Sequence, residues 1–229
     1  MFLNHCKLYA PFSDGVDCDD GFVEIRDGVI EAVGARIPAH AEEVIDCGGK
    51  SLIPGLIDLH THLTMMSGIG ISAVDDPMQL LVEASEQAKR YLRHGFTTIR
   101  DCGSIGRAAN YVKKLVDKGL VDGPDIIACG STLMPSVISR RSDLSAIIHF
   151  CDGAEEFRKG VREEIAESAE FIKIYASGSA FNPKGTPQNP IMTFEEMCTA
   201  VETARENGAY VAAHCHADGA ILNCIQAGV

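Results

Sequence analysis

From residue 52 onward the chain alternates short apolar runs with amphipathic helical stretches, and this constrains its fold more than any other feature. "LIPGLIDLH" (52–60), "FTTIRDCG" (96–103), "PDIIACGSTL" (124–133), "EFIKIYASG" (170–178) and "AYVAAHCHA" (209–217) read as strands. Each is followed by a helical pattern: "DPMQLLVEASEQAKRYLRHG", "GRAANYVKKLVDKG", "AEEFRKGVREEIAESA", "TFEEMCTAVETARENG" and "DGAILNCIQAGV". Pro77 near a helix start, Gly95 and Gly119 at helix ends, and Thr193 with Glu196 three residues on mark the boundaries. Five strand–helix pairs predict an α/β domain of parallel strands covered by helices. Two architectures compete, a doubly wound sheet and a (β/α)8-type TIM barrel. No GxGxxG follows the first strand, so a dinucleotide-binding sheet has no support. His60, His62, Asp101, Lys173 and His214 fall at or just past strand C-terminal ends, the face where barrel enzymes build their sites. The barrel is therefore favoured.

The first 55 residues differ in texture. "GFVEIRDGVIEAVG" alternates apolar and polar residues on both sides of Asp27-Gly28, a strong hairpin signal, and "EEVIDCGGKSLIP" adds another strand or two. The expected organisation is a small β module over 1–55 and a (β/α) domain over 56–229. Net charge is −12, from 20 Lys+Arg against 32 Asp+Glu, which argues against a nucleic-acid partner. No apolar run approaches the length of about 18 residues that a membrane span needs. The opening "MFLNHCKLYAPFSDG" lacks the basic start and apolar core of a secretory signal. Nine dispersed cysteines without a CxxC pair fit reduced thiols better than a disulfide framework, so a cytoplasmic location is expected.

The histidines carry the chemistry. His60 and His62 lie two apart on a strand and so project to the same side, within reach of one ion. A single HxH is a weak signal that strand-end histidines in a loop network also produce. A second one, His214 and His216, at a later strand end strengthens the metal reading, since imidazole is a common ligand of zinc and related ions. Lys173 stands inside an apolar strand, where a cation is costly. Either it pairs with an acid such as Asp101, or burial leaves a neutral amine able to take up CO2 as a carbamate. Such a carbamate could bridge two metals about 3.5–4 Å apart.

"PGLIDLHTH", "GFTTIRD", "IKIYASG" and "AAHCHA" together resemble the amidohydrolase superfamily, in particular its imidazolonepropionase-like and Xaa-Pro-dipeptidase-like branch. The resemblance covers essentially the whole chain. It implies a β-sandwich module beside a (β/α)8 barrel, of which about five βα units are present. It makes His60 and His62 ligands of a first metal, Lys173 the carboxylated bridge, and His214 a ligand of the second. His216 then faces substrate or serves the structure. Two divalent ions, zinc first among the candidates, would bridge a hydroxide that attacks a carbonyl and cleaves a C–N bond.

The chain also departs from the family pattern. A sixth-strand histidine and an eighth-strand aspartate, the general base, have no counterpart before Val229. Asp101 is expected to be structural, paired with Arg100 or Lys173. The chain therefore reads as truncated, a fragment either completed by a missing C-terminal half or forming a homo-oligomer, with little hydrolase activity alone. Where close relatives carry Gly-Gly-His after the third strand, this sequence has "LMPSVISRRSDL", whose Arg140 and Arg141 meet a substrate carboxylate or are simply solvated. The expected activity is hydrolysis of an amide bond in a small molecule such as a dipeptide or N-acyl amino acid. The alternatives are a cyclic-amide hydrolase or deaminase of the imidazolonepropionase type, and a non-catalytic remnant.

Overall fold

Asp27 and Gly28 both take positive φ, 51° and 78°, the conformation that a two-residue type I′ hairpin demands. In the computed structural model, which describes residues 1–66, 70–71, 76–137, 146–179 and 187–229, this turn joins β2 (Cys18–Arg26) to β3 (Val29–Gly34). With β1 (Phe2–Leu8) and β4 (Val44–Asp46) they form one four-stranded sheet in the order β3-β2-β1-β4. The β1–β2 and β2–β3 pairs are antiparallel, and β1–β4 is parallel. Its small core centres on Cys6, Leu8 and Val23. Contacts divide the chain into two units, Met1–Gly55 and Leu56–Val229.

The second unit opens with β5 (Leu56–Thr61) and a short antiparallel pair, β6 (Met65–Met66) with β7 (Gly70–Ile71). Then come α1 (Pro77–Arg93), β8 (Phe96–Asp101), α2 (Ala108–Asp117), β9 (Asp125–Ala128), β10 (Thr132–Met134) and β11 (Ile148–Phe150). α3 (Gly153–Ala166), β12 (Ile172–Tyr175), α4 (Phe194–Glu206), β13 (Val211–His214) and α5 (Asp218–Ala227) complete it. The local signals act as expected. Asp76 caps α1 by accepting from the Met78 N–H, with Pro77 in the first turn. Thr193 and Glu196 form a reciprocal capping box on α4.

Two all-parallel sheets result, β5-β8-β9 and β11-β10-β12-β13. They are linked where the Glu170 N–H donates to the Ala128 carbonyl at 2.9 Å. Strand alternation puts Ile172 and Ile174 on the face that meets the helices, where they join Phe157, Val161, Met197 and Val201. Leu80, Ala84, Ile99, Val112 and Ile126 form the matching core under α1 and α2. The same alternation turns Lys173 to the opposite face of the sheet.

The third strand departs from expectation. "PDIIACGSTL" splits at Cys129–Ser131 into β9 and β10, and β11 adds an edge strand that no pattern in the sequence announces. The break accommodates a charge. Glu164, fully buried on α3, accepts from Ser131 N–H at 2.9 Å, from Arg107 Nη2 at 2.8 Å and Nε at 3.1 Å, and bonds His149 Nδ1 at 2.8 Å. Gly130 packs so close that a Cβ there would meet a Glu164 oxygen at 2.5 Å. The strand bends to bring a donor to the carboxylate.

Candidate metal-binding site

His60 ends within β5 and His62 lies just past it, so both rings project to one side, their centroids 5.3 Å apart. Thr61 between them turns to the buried side and donates to the Arg100 carbonyl at 3.3 Å. His62 bonds the Gly103 carbonyl through Nδ1 at 2.7 Å, which makes that nitrogen the donor and leaves Nε2 as a lone pair. Gly103 can offer this carbonyl because its φ is 125° and because any Cβ would lie 2.8 Å from the Thr132 hydroxyl.

Asp101 fixes both partners of that bond. Its buried carboxylate accepts from Leu63 N–H at 2.7 Å, Gly103 N–H at 3.0 Å and the Ser104 hydroxyl at 2.8 Å. It thereby ties the residue after His62 to the residue that holds the His62 ring. Burial keeps its carboxyl above the usual range, against the pull of these donors. The sequence-based expectation of a structural role is met, but the proposed partners are not. Among the described residues Arg100 instead donates to the Leu59 carbonyl at 2.8 Å and lies over the stacked rings of Phe171 and Tyr210.

Lys173 is the second residue of β12, 4% exposed, and lies opposite Ala212 of β13. Cys102, Cys129 and Phe171 pack together beside it. Burial pushes its ammonium pKa down and Arg100 adds to the effect, while the two sulfurs act the other way. Those thiols are themselves raised by burial and so stay protonated. Among the described residues no carboxylate pairs with Lys173, so the acid-paired alternative finds no support.

His214 closes β13, directly opposite Tyr175 of β12, with the two rings 4.6 Å apart. It is pushed down to about 4 by burial first, then by His216, Lys173 and His60, while a hydrogen bond to the Gly178 backbone acts the other way. Its Nε2 is buried, with no hydrogen-bond partner among the described residues. His60 is also pushed down to about 4, by desolvation, then Lys173, His62 and Arg100. His216 lies past the strand, its ring 4.6 Å from that of His214 and its N–H on the Ser177 hydroxyl at 2.8 Å.

His60, His62, Lys173 and His214 thus share one electrostatic environment on one face of the second unit. Among the described residues no three His, Cys, Asp or Glu side chains converge as a ready-made cluster. The donor chemistry nevertheless fits a borderline cation. His62 has one ring nitrogen anchored to backbone, the arrangement that orients imidazole ligands. An orphaned, desolvated lone pair on His214 is costly unless something occupies it. Gly103, Ser177, Gly178 and Tyr175 were not anticipated from sequence, because their roles depend on neighbours from other strands. Arg140 and Arg141 lie outside the described residues.

Comparison with known proteins bears on the same segment. The Amidohydrolase family model matches residues 51–229. A crystal structure of a prolidase complexed with N-methylphosphonate-L-proline superposes with a TM-score of 0.84 at 28% identity, over 100% of this chain and 59% of that one. Ochratoxinase of Aspergillus niger is 26% identical over 208 residues, covering 77% of this chain and 42% of that protein. Imidazolonepropionase of Bacillus thuringiensis is 54% identical over a shorter stretch of 48 residues, 20% of this chain and 11% of that protein. The chain therefore spans about half the length of ochratoxinase and of the prolidase. A match running from just before the first histidine pair through the second, over a parallel α/β fold that superposes on the same group, places this chain in the amidohydrolase family.

Proposed function

We propose that this chain carries one half of a metal-dependent centre for amide-bond hydrolysis. His60 and His62 would hold one divalent ion and His214 a second, with Lys173 as its carbamate a further ligand. The observation that carries this reading is His214, whose Nε2 is buried with no hydrogen-bond partner among the described residues. When bound, divalent ions, zinc first among the candidates, supply Lewis acidity to a carbonyl and bring the pKa of water toward neutrality.

The chain's own residues prepare for this. The depressed pKa values of His60 and His214 keep their lone pairs free at neutral pH. The Lys173 amine, held below its ordinary range, adds to CO2: an N–C bond forms, one proton leaves to solvent, and a two-oxygen carboxylate results. His216, exposed beside His214, faces incoming substrate.

The strand order and parallel registers support reading the second unit as five βα units of a (β/α)8 barrel, with the first unit belonging to a β-sandwich. β5 is an edge strand whose Ile57 and Leu59 are 62% and 56% exposed, and α5 exposes Leu222 and Ile225. These surfaces favour further βα units packing there, from the same chain or a partner, and bringing the remaining ligand and the general base.

The substrate class that fits best is a dipeptide or N-acyl amino acid, by likeness to the prolidase. Cyclic-amide hydrolysis is the second reading, favoured by the 54% identity to imidazolonepropionase over 48 residues. Metal retention after desalting tests the core of the proposal. Zinc or cobalt should stay with the native protein and fall several-fold in His214→Ala and in His60→Ala/His62→Ala. Equal retention in all three would sink it.

A further inference from the structure

A pair of cysteines lies in the first unit, which carries none of the candidate metal ligands. Cys6 on β1 is fully buried, and Cys47, partly exposed, packs against the same small cluster just after β4. The backbones around them are clamped in register. Cys47 N–H donates to the Asn4 carbonyl at 2.8 Å, Gly49 N–H to the His5 carbonyl at 2.8 Å, and Lys7 N–H to the Lys50 carbonyl at 2.9 Å. The Cys47 thiol lies close enough within this cluster to raise the Cys6 thiol. Both are present as free thiols here.

We propose that Cys6 and Cys47 form a reversible dithiol–disulfide site that staples the first and last strands of this unit. Sequence spacing hides the site, since the two cysteines are 41 positions apart and no CxxC marks them. Accessibility sets the order of reaction. Burial, and the Cys47 thiol next to it, push Cys6 up to about 12, so it is not the first group to react. Cys47 as thiolate attacks a small-molecule disulfide, forms the mixed disulfide and releases one small thiolate. Cys6 then loses its proton and displaces the second small thiolate from Cys47. Two protein thiols are oxidised, one small disulfide is reduced to two thiols, and the electrons balance.

Closure suits this unit because its fully buried core is small. A bond across a loop of about 40 residues removes much of the unfolded chain's freedom. Cys18 is the local competitor. It too packs on the cluster, and its sulfur sits 2.6 Å from where a Cβ on Gly21 would be, opposite Cys6.

The test titrates the 229-residue protein with oxidised glutathione at neutral pH, followed by alkylation and non-reducing peptide mapping. The expected product is one cross-linked peptide pair containing residues 6 and 47, reversed by dithiothreitol and absent in Cys47→Ala. Amide exchange in the first unit should slow at least about tenfold in the oxidised protein. Recovery of Cys6 and Cys47 as alkylated thiols, a link through Cys18 instead, or unchanged exchange in the cross-linked protein would each overturn the proposal. Cys47→Ala removes only a partly exposed thiol, so its folding is checked independently by circular dichroism.

Discussion

Asp101 and Lys173 stand on neighbouring parts of the same unit, each almost completely buried, and they are treated in opposite ways. Asp101 ends β8 with three donors on its carboxylate. Lys173 sits within β12 among thiols and an aromatic ring, and no hydrogen bond or ion pair reaches its amine among the described residues. Burial of an ionisable group is tolerated when partners satisfy it, as they do for Asp101 and again for Glu164. A buried group without partners is a stability cost that a fold retains for some other purpose. The difference separates groups that hold the scaffold from groups whose chemistry is kept available.

The largest test of that division is Glu164→Ala. Removing this carboxylate strands Arg107, the Ser131 N–H and His149, and should destabilise the protein by about 3–5 kcal/mol in urea denaturation. A loss below about 1 kcal/mol would show that the cluster contributes little. Asp101→Asn comes next, at about 1–3 kcal/mol, because an amide cannot accept from all three donors. The same variant should lower metal retention, since the carbonyl that aims His62 loses its anchor.

Acid should act in the same direction. Desolvation and neighbouring cations push His60 and His214 down to about 4, below the ordinary value near 6.5, so the unfolded chain binds more protons between these values. Stability is therefore fully present above about pH 6.5 and is lost as pH falls toward 4. His214→Gln should flatten this part of the profile, and an unchanged profile would contradict the assignment.

The smallest effect, and the one of opposite sign, belongs to Lys173→Met. Replacing an unpaired buried amine by an apolar side chain should leave stability unchanged or raise it by up to about 1 kcal/mol, while retained metal falls. Destabilisation comparable to that of Asp101→Asn would erase the contrast between the two residues.

How much was legible in the sequence follows the same logic. The Asp27-Gly28 turn, the Thr193–Glu196 box and the strand–helix alternation are written in residues a few positions apart, where local geometry dominates. The histidine pairs were visible because two-residue spacing translates directly into one side of a strand. The break at Cys129–Ser131 was not, because its cause is a carboxylate on α3, and the Arg107–Glu164 bond spans 57 positions. The partners of Asp101 were misjudged for a related reason. Charge suggested a cation, whereas the fold supplied two backbone N–H groups and a hydroxyl.

β5 has one consequence of its own. Among the described residues it is the edge of its sheet, paired to β8 along one side only, and it carries His60. Any polypeptide that pairs with its open side will fix the backbone from which that imidazole projects. On the proposed role of His60 as a metal ligand, strand addition and ion binding are linked equilibria. Whatever factor the ion adds to the affinity for the incoming strand, the strand must add to the affinity for the ion.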